Sequence, residues 1–315
     1  MLAILARRAL HGALVLWLVT TATFLLLHAA PGGPAVLADP KLTAVERQAI
    51  ERQLGLDQPL ARQYLRWHAN LLRGEMGRSF LYQTPTVDTV LARLPNTLLL
   101  VAVALMLGIA LALPIGVHVG RHPGGPVDRM VSVVSFTSLA IPTFWFGIVA
   151  ILVFAAQWRL LPAGGAVTPG DGSWIDRLRH LILPAAVLAA PIGAELIRFI
   201  RSGVGAAMGA SHLRPAEARG VPPRRLWRRH VVRNALLPLL TALGLQVPTM
   251  VGGAAVTESV FGWPGMGRLS VEAALGRDYP LVMAIAVVVA VAVVLANLLL
   301  DLLYAWADPR VRIRA

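Results

Sequence analysis

Thr97–Val119 reads TLLLVAVALMLGIALALPIGVHV, an apolar run without an acidic residue, a lysine or an arginine. About 20 residues of this kind cross the hydrocarbon core of a bilayer as an α-helix. Five further runs reach that length: Leu10–Ala29, Met130–Ala156, Leu181–Ile200, Leu236–Thr257 and Pro280–Ala305. Because lipid offers an open backbone no hydrogen-bond partners, the sequence predicts an all-α integral membrane bundle of six transmembrane helices. Kinks are expected at prolines inside the runs, such as Pro114, Pro142, Pro184, Pro191 and Pro248.

Composition supports a membrane environment and excludes several kinds of chemistry. Of the 315 residues, 57% are hydrophobic and 14% are charged, which is too much apolar surface for one water-soluble core. The chain has no cysteine, which excludes disulfides, iron–sulfur clusters, thiolate zinc sites and cysteine nucleophiles. Its single lysine, Lys41, does not follow a glycine, so the phosphate-binding Gly-Lys motif is also absent. Any ATP hydrolysis must therefore come from a separate subunit.

The distribution of charge indicates how the spans are oriented. A formal charge of +13 would suggest nucleic acid as the partner of a soluble protein. Six spans, however, place both termini on one side, and that side carries 16 of the 29 basic residues but only five of the 16 acidic ones. Because basic loops stay in the cytoplasm, we expect a multi-pass protein of the inner (cytoplasmic) membrane with both termini cytoplasmic, and no nucleic-acid partner.

The first span has a second interpretation as a secretory signal. Arg7 and Arg8 precede the apolar run, and His28-Ala29-Ala30 at its end resembles a cleavage site. The apolar stretch is longer than the usual core of a cleaved signal, which favours an uncleaved anchor.

Residues 30–96 are too polar to enter lipid and predict a small periplasmic helical segment. Thr43 and Glu46 have the spacing of a capping box, and Gly55 suits the position after a helix end. Pro59 suits the first turn of a second helix that runs toward Arg73. The simplest interpretation is a helical cap on the outer face of the bundle.

The loop between the fourth and fifth spans, residues 201–235, is basic and rich in small residues. Gly220 can adopt a left-handed conformation, and Pro222-Pro223 can start another helix, so the pattern predicts a helix–turn–helix beneath the membrane. Ala216 and Ala218 leave room for another protein to approach closely. The alternative is a basic loop that contacts anionic lipid headgroups.

Two strings in this loop, Arg214-Pro-Ala-Glu-Ala-Arg-Gly220 and Arg233-Asn-Ala-Leu-Leu-Pro238, resemble the EAA loop of ATP-binding-cassette (ABC) importer permeases of the dipeptide/oligopeptide/nickel family. Arg214 and Pro215 stand where the general pattern has Glu and Ala, and the downstream Leu-Pro lies further from Gly220. Nine other strings follow in the family's order: Pro31–Pro34, Gln53–Leu60, Gly74–Phe80, Leu94–Thr97, Ile141–Trp145, Leu161–Gly165, Glu258–Gly265, Arg277–Pro280 and Asp308–Arg310.

The resemblance implies a type I ABC-importer permease fold and a non-catalytic subunit that translocates peptides, with nickel, glutathione or oligosaccharide as alternative cargoes. It divides the chain into residues 1–29 (N-terminus and first helix), 30–96 (periplasmic segment), 97–305 (permease core with the coupling loop 201–235) and 306–315 (cytoplasmic tail). The implied partners are a second homologous permease, two ATPase subunits and a periplasmic or lipid-anchored substrate-binding protein.

The resemblance also implies which residues contact those partners. Residues of the coupling loop would contact an ATPase: Arg214, Ala216, Glu217, Ala218 and Gly220. Residues of the external loops would contact the binding protein: Phe261, Trp263, Gly265 and Asp278.

Polar residues within the spans give further candidates. Gln246 and Thr249, on either side of Pro248, would line the translocation pathway or make an interhelical hydrogen bond. Glu195 has the spacing to pair with Arg198 at a helix end.

Two pairs with a spacing of four residues have structural explanations. His118 and His122 could hold a metal ion, but no further ligand is near in sequence, so contact with headgroups is favoured. Gly116 and Gly120 fit a close helix–helix contact.

No catalytic motif occurs in the sequence, so we expect neither an enzyme nor a cofactor or metal. A secondary transporter would need charges paired in mid-membrane or inverted repeats, and neither is found. A membrane-embedded enzyme, the third class considered, lacks paired catalytic residues.

Overall fold

The computed structural model describes residues 2–31, 33–37, 41–209, 239, 242–244, 246 and 254–307. Within these residues the regular structure is helical, and one isolated β-bridge joins Arg78 and Pro85. The helices are α1 (Leu2–Ala29), α2 (Ala44–Leu54), α3 (Leu60–Leu72), α4 (Thr86–Arg121), α5 (Pro126–Ala140), α6 (Thr143–Ala150), α7 (Trp174–Met208), α8 (residues 254–260), α9 (Met266–Leu275) and α10 (Tyr279–Ala307), with a 3-10 turn at Ala35–Leu37 and a π-helical turn at Ile151–Gln157.

Four of the six predicted spans are confirmed as long apolar helices, namely α1, α4, α7 and α10. Helix α4 begins at Thr86, before the predicted start, and α7 begins at Trp174 because Ser173 caps it: the Ser173 hydroxyl accepts a hydrogen bond from the Asp176 backbone N–H. The predicted fifth span, Leu236–Thr257, falls mostly outside the described residues, so the count of six stays a prediction.

The third span was predicted as one helix over Met130–Ala156 with a kink at Pro142, and the single helix is wrong. Helices α5 and α6 meet at an angle of 103°. The break lies at Ile141, which is extended (φ −79°, ψ 126°) because a residue before proline is pushed out of the helical region. Pro142 then starts α6. By contrast, α7 continues through Pro184 and Pro191.

The structure divides into two compact units. The first contains Met1–Asn96 and Gly265–Leu295, and the second contains Thr97–Pro264 and Ala296–Ala315. Helices α4 and α10 have residues in both.

In the first unit, the predicted segment after α1 is helical. The capping box at Thr43 and Glu46 is formed: the Glu46 backbone N–H donates to Thr43 Oγ1, and the Thr43 backbone N–H donates to the Glu46 carboxylate at 2.8 Å. Gly55 is left-handed at φ 70°, as its place after α2 requires. Helix α3 is joined to α1 by a hydrogen bond of 2.8 Å between Tyr64 and Thr21.

The second unit is built around α7. In the most apolar stretch of α7, 67% of the residues are buried, against 17% in α1, 22% in α4 and 33% in α10. The large side chains at its centre are enclosed, with Leu196 at 0% and Ile200 at 1% exposure. Helix α7 is therefore the core of this unit, whereas much of the surface of α1, α4 and α10 is left for lipid or another subunit.

Helices α4 and α7 approach closely through glycines. A Cβ atom added to Gly116 would lie 2.8 Å from Ile200 Cβ, and one added to Gly120 would lie 2.7 Å from Val204 Cβ. Neither distance is sterically possible without a shift of backbone or side chain. The predicted packing role of Gly116 and Gly120 is confirmed.

Candidate functional site

The turn after α8 is fixed against a second loop of the same unit. The Gly165 backbone N–H donates to the Phe261 carbonyl at 2.8 Å, and a Cβ atom on Gly164 would lie 2.5 Å from that oxygen. Phe261 is 2% exposed and Trp263 is not exposed at all. Both aromatic rings are therefore internal, and they anchor the turn to the bundle.

A buried carboxylate lies just before this turn. Glu258 has no exposed surface and accepts a 2.7 Å hydrogen bond from the Thr97 hydroxyl. The Trp263 backbone N–H donates to the Glu258 carbonyl at 2.9 Å. Glu258 thus connects α8, the turn and α4.

In the first unit, Asp278 is a buried cap at the start of α10. Its Oδ2 accepts from the Ser79 hydroxyl at 2.5 Å and from the Leu81 backbone N–H at 3.0 Å. Its Oδ1 accepts from the Leu281 N–H at 3.2 Å. Since Ser79 and Leu81 belong to the loop before α4 and Leu281 to the first turn of α10, Asp278 holds this loop on the N-terminus of α10.

The four residues predicted to contact a binding protein are therefore enclosed by their own chain. Phe261, Trp263, Gly265 and Asp278 are all buried. Contact with a binding protein stays a prediction, and exposed neighbours such as Ser259 and Leu275 would have to make it.

A network of hydrogen bonds lies on the exposed surface of α9. The Tyr82 hydroxyl donates to Glu272 Oε2 at 2.9 Å, and Arg268 Nε donates to Glu272 Oε1 at 2.7 Å. Partial burial alone raises the pKa of Glu272, but these two hydrogen bonds and the Arg268 charge bring it below the ordinary value. Partial burial and the hydrogen bond to Glu272 raise the pKa of Tyr82.

Of the pathway candidates, Gln246 is placed by the structure and Thr249 lies outside the described residues. Gln246 is buried, and its side-chain amide donates to Glu195 Oε2 on α7. The structure therefore gives Glu195 the partner Gln246, whereas the pair with Arg198 suggested by spacing stays a prediction. The lining of a pathway by these residues stays a prediction.

The start of the predicted coupling loop is described, but its centre is not. Helix α7 carries the chain from Arg201 to Met208, and the candidate contacts Arg214, Ala216, Glu217, Ala218 and Gly220 lie outside the described residues.

Sequence reasoning missed an ion pair at this end of α7. Arg201 Nη2 donates to Asp128 Oδ2 at 2.7 Å, and Asp128 is 3% exposed. The residues are 73 positions apart. An acidic residue just inside a helix start and an arginine at a span end were the available signals, but neither identifies its partner.

Within the described residues, no group of three or more His, Asp and Glu side chains could hold a metal ion. The rings of His118 and His122 are 5.0 Å apart, and His122 Nδ1 lies 3.1 Å from the His118 carbonyl oxygen. This pair supplies no more than two ligands, fewer than a structural metal site needs.

Comparison with known families decides which kind of bundle this is. The model of the family described as the inner membrane component of binding-protein-dependent transport systems matches residues 104–313. The chain belongs to this family. The corresponding N-terminal model matches residues 1–101. The chain is thus a multi-pass permease subunit of an ABC importer in the inner membrane, and the family implies ATPase and substrate-binding partners.

Individual relatives extend over the whole chain. It is 40% identical over 314 residues to the oligopeptide transport system permease protein AppB of Bacillus subtilis, covering 99% of both chains. It is 34% identical to the dipeptide transport system permease protein DppB of Escherichia coli K12, covering 93% of this chain and 94% of that one. In fold it is similar to a chain of the inward-facing MetNI methionine ABC transporter (TM-score 0.56, 18% identity), covering 71% of this chain and 98% of that one. The type I permease fold is therefore confirmed.

Proposed function

We propose that this permease translocates dipeptides or oligopeptides inward across the cytoplasmic membrane and catalyses no reaction itself. The observation that carries the proposal is the end-to-end similarity to an oligopeptide permease, at 40% identity over 99% of both chains. A dipeptide permease is similar over nearly the same length. ATP hydrolysis is assigned to partner subunits, since the chain has no Gly-Lys phosphate-binding motif.

The proposed assembly is a heterodimer with a homologous permease, two ATPase subunits and an external binding protein that is periplasmic or lipid-anchored. Surface on the apolar helices is available for a partner or for lipid: Leu10 in α1 is 71% exposed and Phe136 in α5 is 64% exposed. The excess of basic residues on the side of the termini supports an orientation with both termini cytoplasmic.

Residues 201–235 are proposed as the coupling loop, with Ala216 to Gly220 at the ATPase contact. Closure of the ATPases on ATP would displace this loop and move the bundle between outward-open and inward-open states. Replacement of Gly220 by leucine is expected to abolish uptake while ATP hydrolysis continues, because a bulky residue fills the proposed contact.

Within the bundle, Gln246, its partner Glu195 and Thr249 are proposed to line the pathway. An ionisable side chain within a span is costly in lipid, so Glu195 is expected to face water or protein. On the outer side, the turn anchored by Phe261 and Trp263 and the loop anchored by Asp278 are proposed as the scaffold for the binding-protein contact.

The test is uptake of a radiolabelled dipeptide into proteoliposomes that contain the complete complex, with ATP inside and the binding protein outside. We expect ATP-dependent uptake that a catalytically inactive ATPase variant abolishes. Uptake of Ni²⁺, glutathione or an oligosaccharide in place of peptides would reassign the cargo. Peptide uptake by the permease without any ATPase would indicate a secondary transporter and contradict the proposal.

A further inference from the structure

The C-terminal end of α7, which leads into the predicted coupling loop, is held from two sides. On one side, Arg201 Nη2 donates to Asp128 Oδ2 at 2.7 Å, and Arg201 Nε lies 2.7 Å from Asp128 Oδ1. The same Oδ2 accepts from the Gly124 backbone N–H at 2.8 Å. Asp128 therefore connects α7 with the first turn of α5 and with the turn between α4 and α5.

On the other side, α4 lies directly against the same turn of α7. A Cβ atom on Gly120 would lie 2.7 Å from Val204 Cβ and 3.1 Å from the Arg201 carbonyl oxygen. Ile200 and Val204 are 1% and 0% exposed. At this contact α7 could not slide past α4 without displacing the Val204 side chain or the backbone.

Weaker points of the backbone lie further along the same helices. The chain breaks between α5 and α6 at Ile141-Pro142, where the helix axis turns by 103°. In α7, Pro191 has no N–H to donate, so one backbone hydrogen bond of the helix is missing there. A force on the C-terminal end of α7 would therefore move the adjoining ends of α4, α5 and α7 as one body. Bending would occur further along the helices, at Pro142 and Pro191.

Helix α5 packs against α7 and is also joined to it by an ion pair. The first turn of α5 contacts α7 through a carboxylate that is almost fully buried, and a buried charge persists there only because its partner is present. If either partner is neutralised, the position of α5 relative to α7 is no longer specified by charge.

We propose that Asp128 and Arg201 are positioning residues for energy coupling: the ion pair transmits displacement of the coupling loop from α7 to α5. The inference rests on the proposed function, since it needs the loop after α7 to be the point where the ATPase acts. Without the pair, ATP hydrolysis continues, but α5 no longer moves with α7. The pathway then does not switch between the outward-open and inward-open states.

The first test compares uptake with hydrolysis in the reconstituted complex. Asp128→Asn and Arg201→Gln are each expected to lower the amount of dipeptide taken up per ATP hydrolysed by about ten-fold, within the usual range of coupling energies. The double variant is expected to be no worse than either single one, and Arg201→Lys to recover part of the ratio. Arg129 is exposed and lies next to Asp128, so Arg129→Gln is the matched control. It should keep the wild-type ratio of dipeptide taken up to ATP hydrolysed.

Three outcomes separate the possibilities. If uptake and hydrolysis fall together in proportion to the amount of assembled complex, the pair only stabilises the fold and the inference is wrong. If the variants keep the wild-type ratio, the inference is also wrong, while the proposed function stands. If the wild-type complex shows no ATP-dependent uptake of peptides, the proposed function fails first.

A distance measurement tests the rigid connection directly. The chain has no cysteine, so Val127→Cys and Met208→Cys, both at exposed positions, allow specific spin labels on α5 and α7. The distance between the labels should stay the same with and without ATP in the wild-type background, and change with nucleotide when Asp128→Asn is added. A nucleotide-dependent change in the wild-type background would overturn the proposal.

Discussion

The two ends of α7 are both held by buried carboxylates, but through different parts of the sequence. At the N-terminal end, Asp176 accepts from the Thr168 backbone N–H at 2.6 Å and from the Thr168 hydroxyl at 2.8 Å, a contact across eight residues. At the C-terminal end, Arg201 is joined to Asp128 across 73 residues. The first contact holds the preceding loop on the first turn of α7, whereas the second fixes α7 relative to another helix. Stability is expected to depend on both ends, and coupling on the C-terminal end alone.

The largest effect is expected where α4 touches the C-terminal end of α7. Gly120→Ala places a Cβ atom 2.7 Å from Val204 Cβ. We therefore expect the free energy of unfolding to fall by about 1–3 kcal/mol, and the yield of assembled permease to fall clearly. The matched control is Gly205→Ala on α7, where nothing lies within 4 Å. There, alanine should be neutral or stabilising because it favours the helix. Equal yields for the two variants would contradict the close approach of α4 and α7.

A smaller effect is expected at the N-terminal end. Thr168→Val removes the hydroxyl that donates to Asp176, at a cost of about 1 kcal/mol in thermal unfolding of the purified complex. Thr168→Ser keeps the hydroxyl and should stay close to wild type. Dipeptide uptake per ATP should be unchanged in both, in contrast to Asp128→Asn. A ten-fold loss of that ratio in Thr168→Val would mean that the two ends do not differ in function.

The smallest effect is expected at the exposed network on α9, which serves as a reference for both buried ends. Tyr82→Phe removes a hydrogen bond to the partly exposed Glu272 carboxylate. The free energy of unfolding at pH 7 should therefore fall by only about a few tenths of a kcal/mol, which is the contribution of this hydrogen bond. The pKa of Glu272 is lowered in the folded state, so this contribution is present above its ordinary pKa of 4.5 and disappears as the pH falls through the lower folded value.

The measurement is the difference in unfolding midpoint between wild type and Tyr82→Phe at pH 7 and at pH 3.5 or below. The difference should shrink at the acidic pH. A difference that grows on acidification would show that Tyr82 acts through something other than the Glu272 carboxylate.

The sequence alone predicted features that depend on neighbours along the chain. The length of an apolar run determines whether a helix can span, so α1, α4, α7 and α10 were correct. The capping box at Thr43 and Glu46 and the contact of Gly116 and Gly120 follow from fixed helical spacing. A kink was predicted at Pro142, but not that the helix ends there, because apolarity is the same on both sides of the break. Whether a proline bends or ends a helix depends on what surrounds the freed carbonyl group.

Contacts between distant residues could not be predicted in the same way. Asp128 and Arg201 entered the sequence argument only as charges that set orientation, since nothing in either position identifies the other. Phe261 and Trp263 were predicted to contact a binding protein because the family resemblance assigns them to an external loop. The position of this turn depends on the distant loop at residues 164–165, where Gly164 has no side chain to collide with the Phe261 carbonyl and the Gly165 N–H donates to it.

The unequal burial of the long helices has a consequence for biosynthesis. Helix α7 is the most enclosed of them, and its sequence is less apolar than α4 and α10 and carries Glu195 and Arg198. A segment of this kind partitions weakly into lipid when it leaves the translocon alone. Helices α4 and α5 are synthesised first and supply the glycine surface and the carboxylate that α7 needs. We therefore expect stable insertion of α7 to depend on these earlier helices. Truncated chains that lack them should fail to insert α7, rather than insert it and then fail to transport.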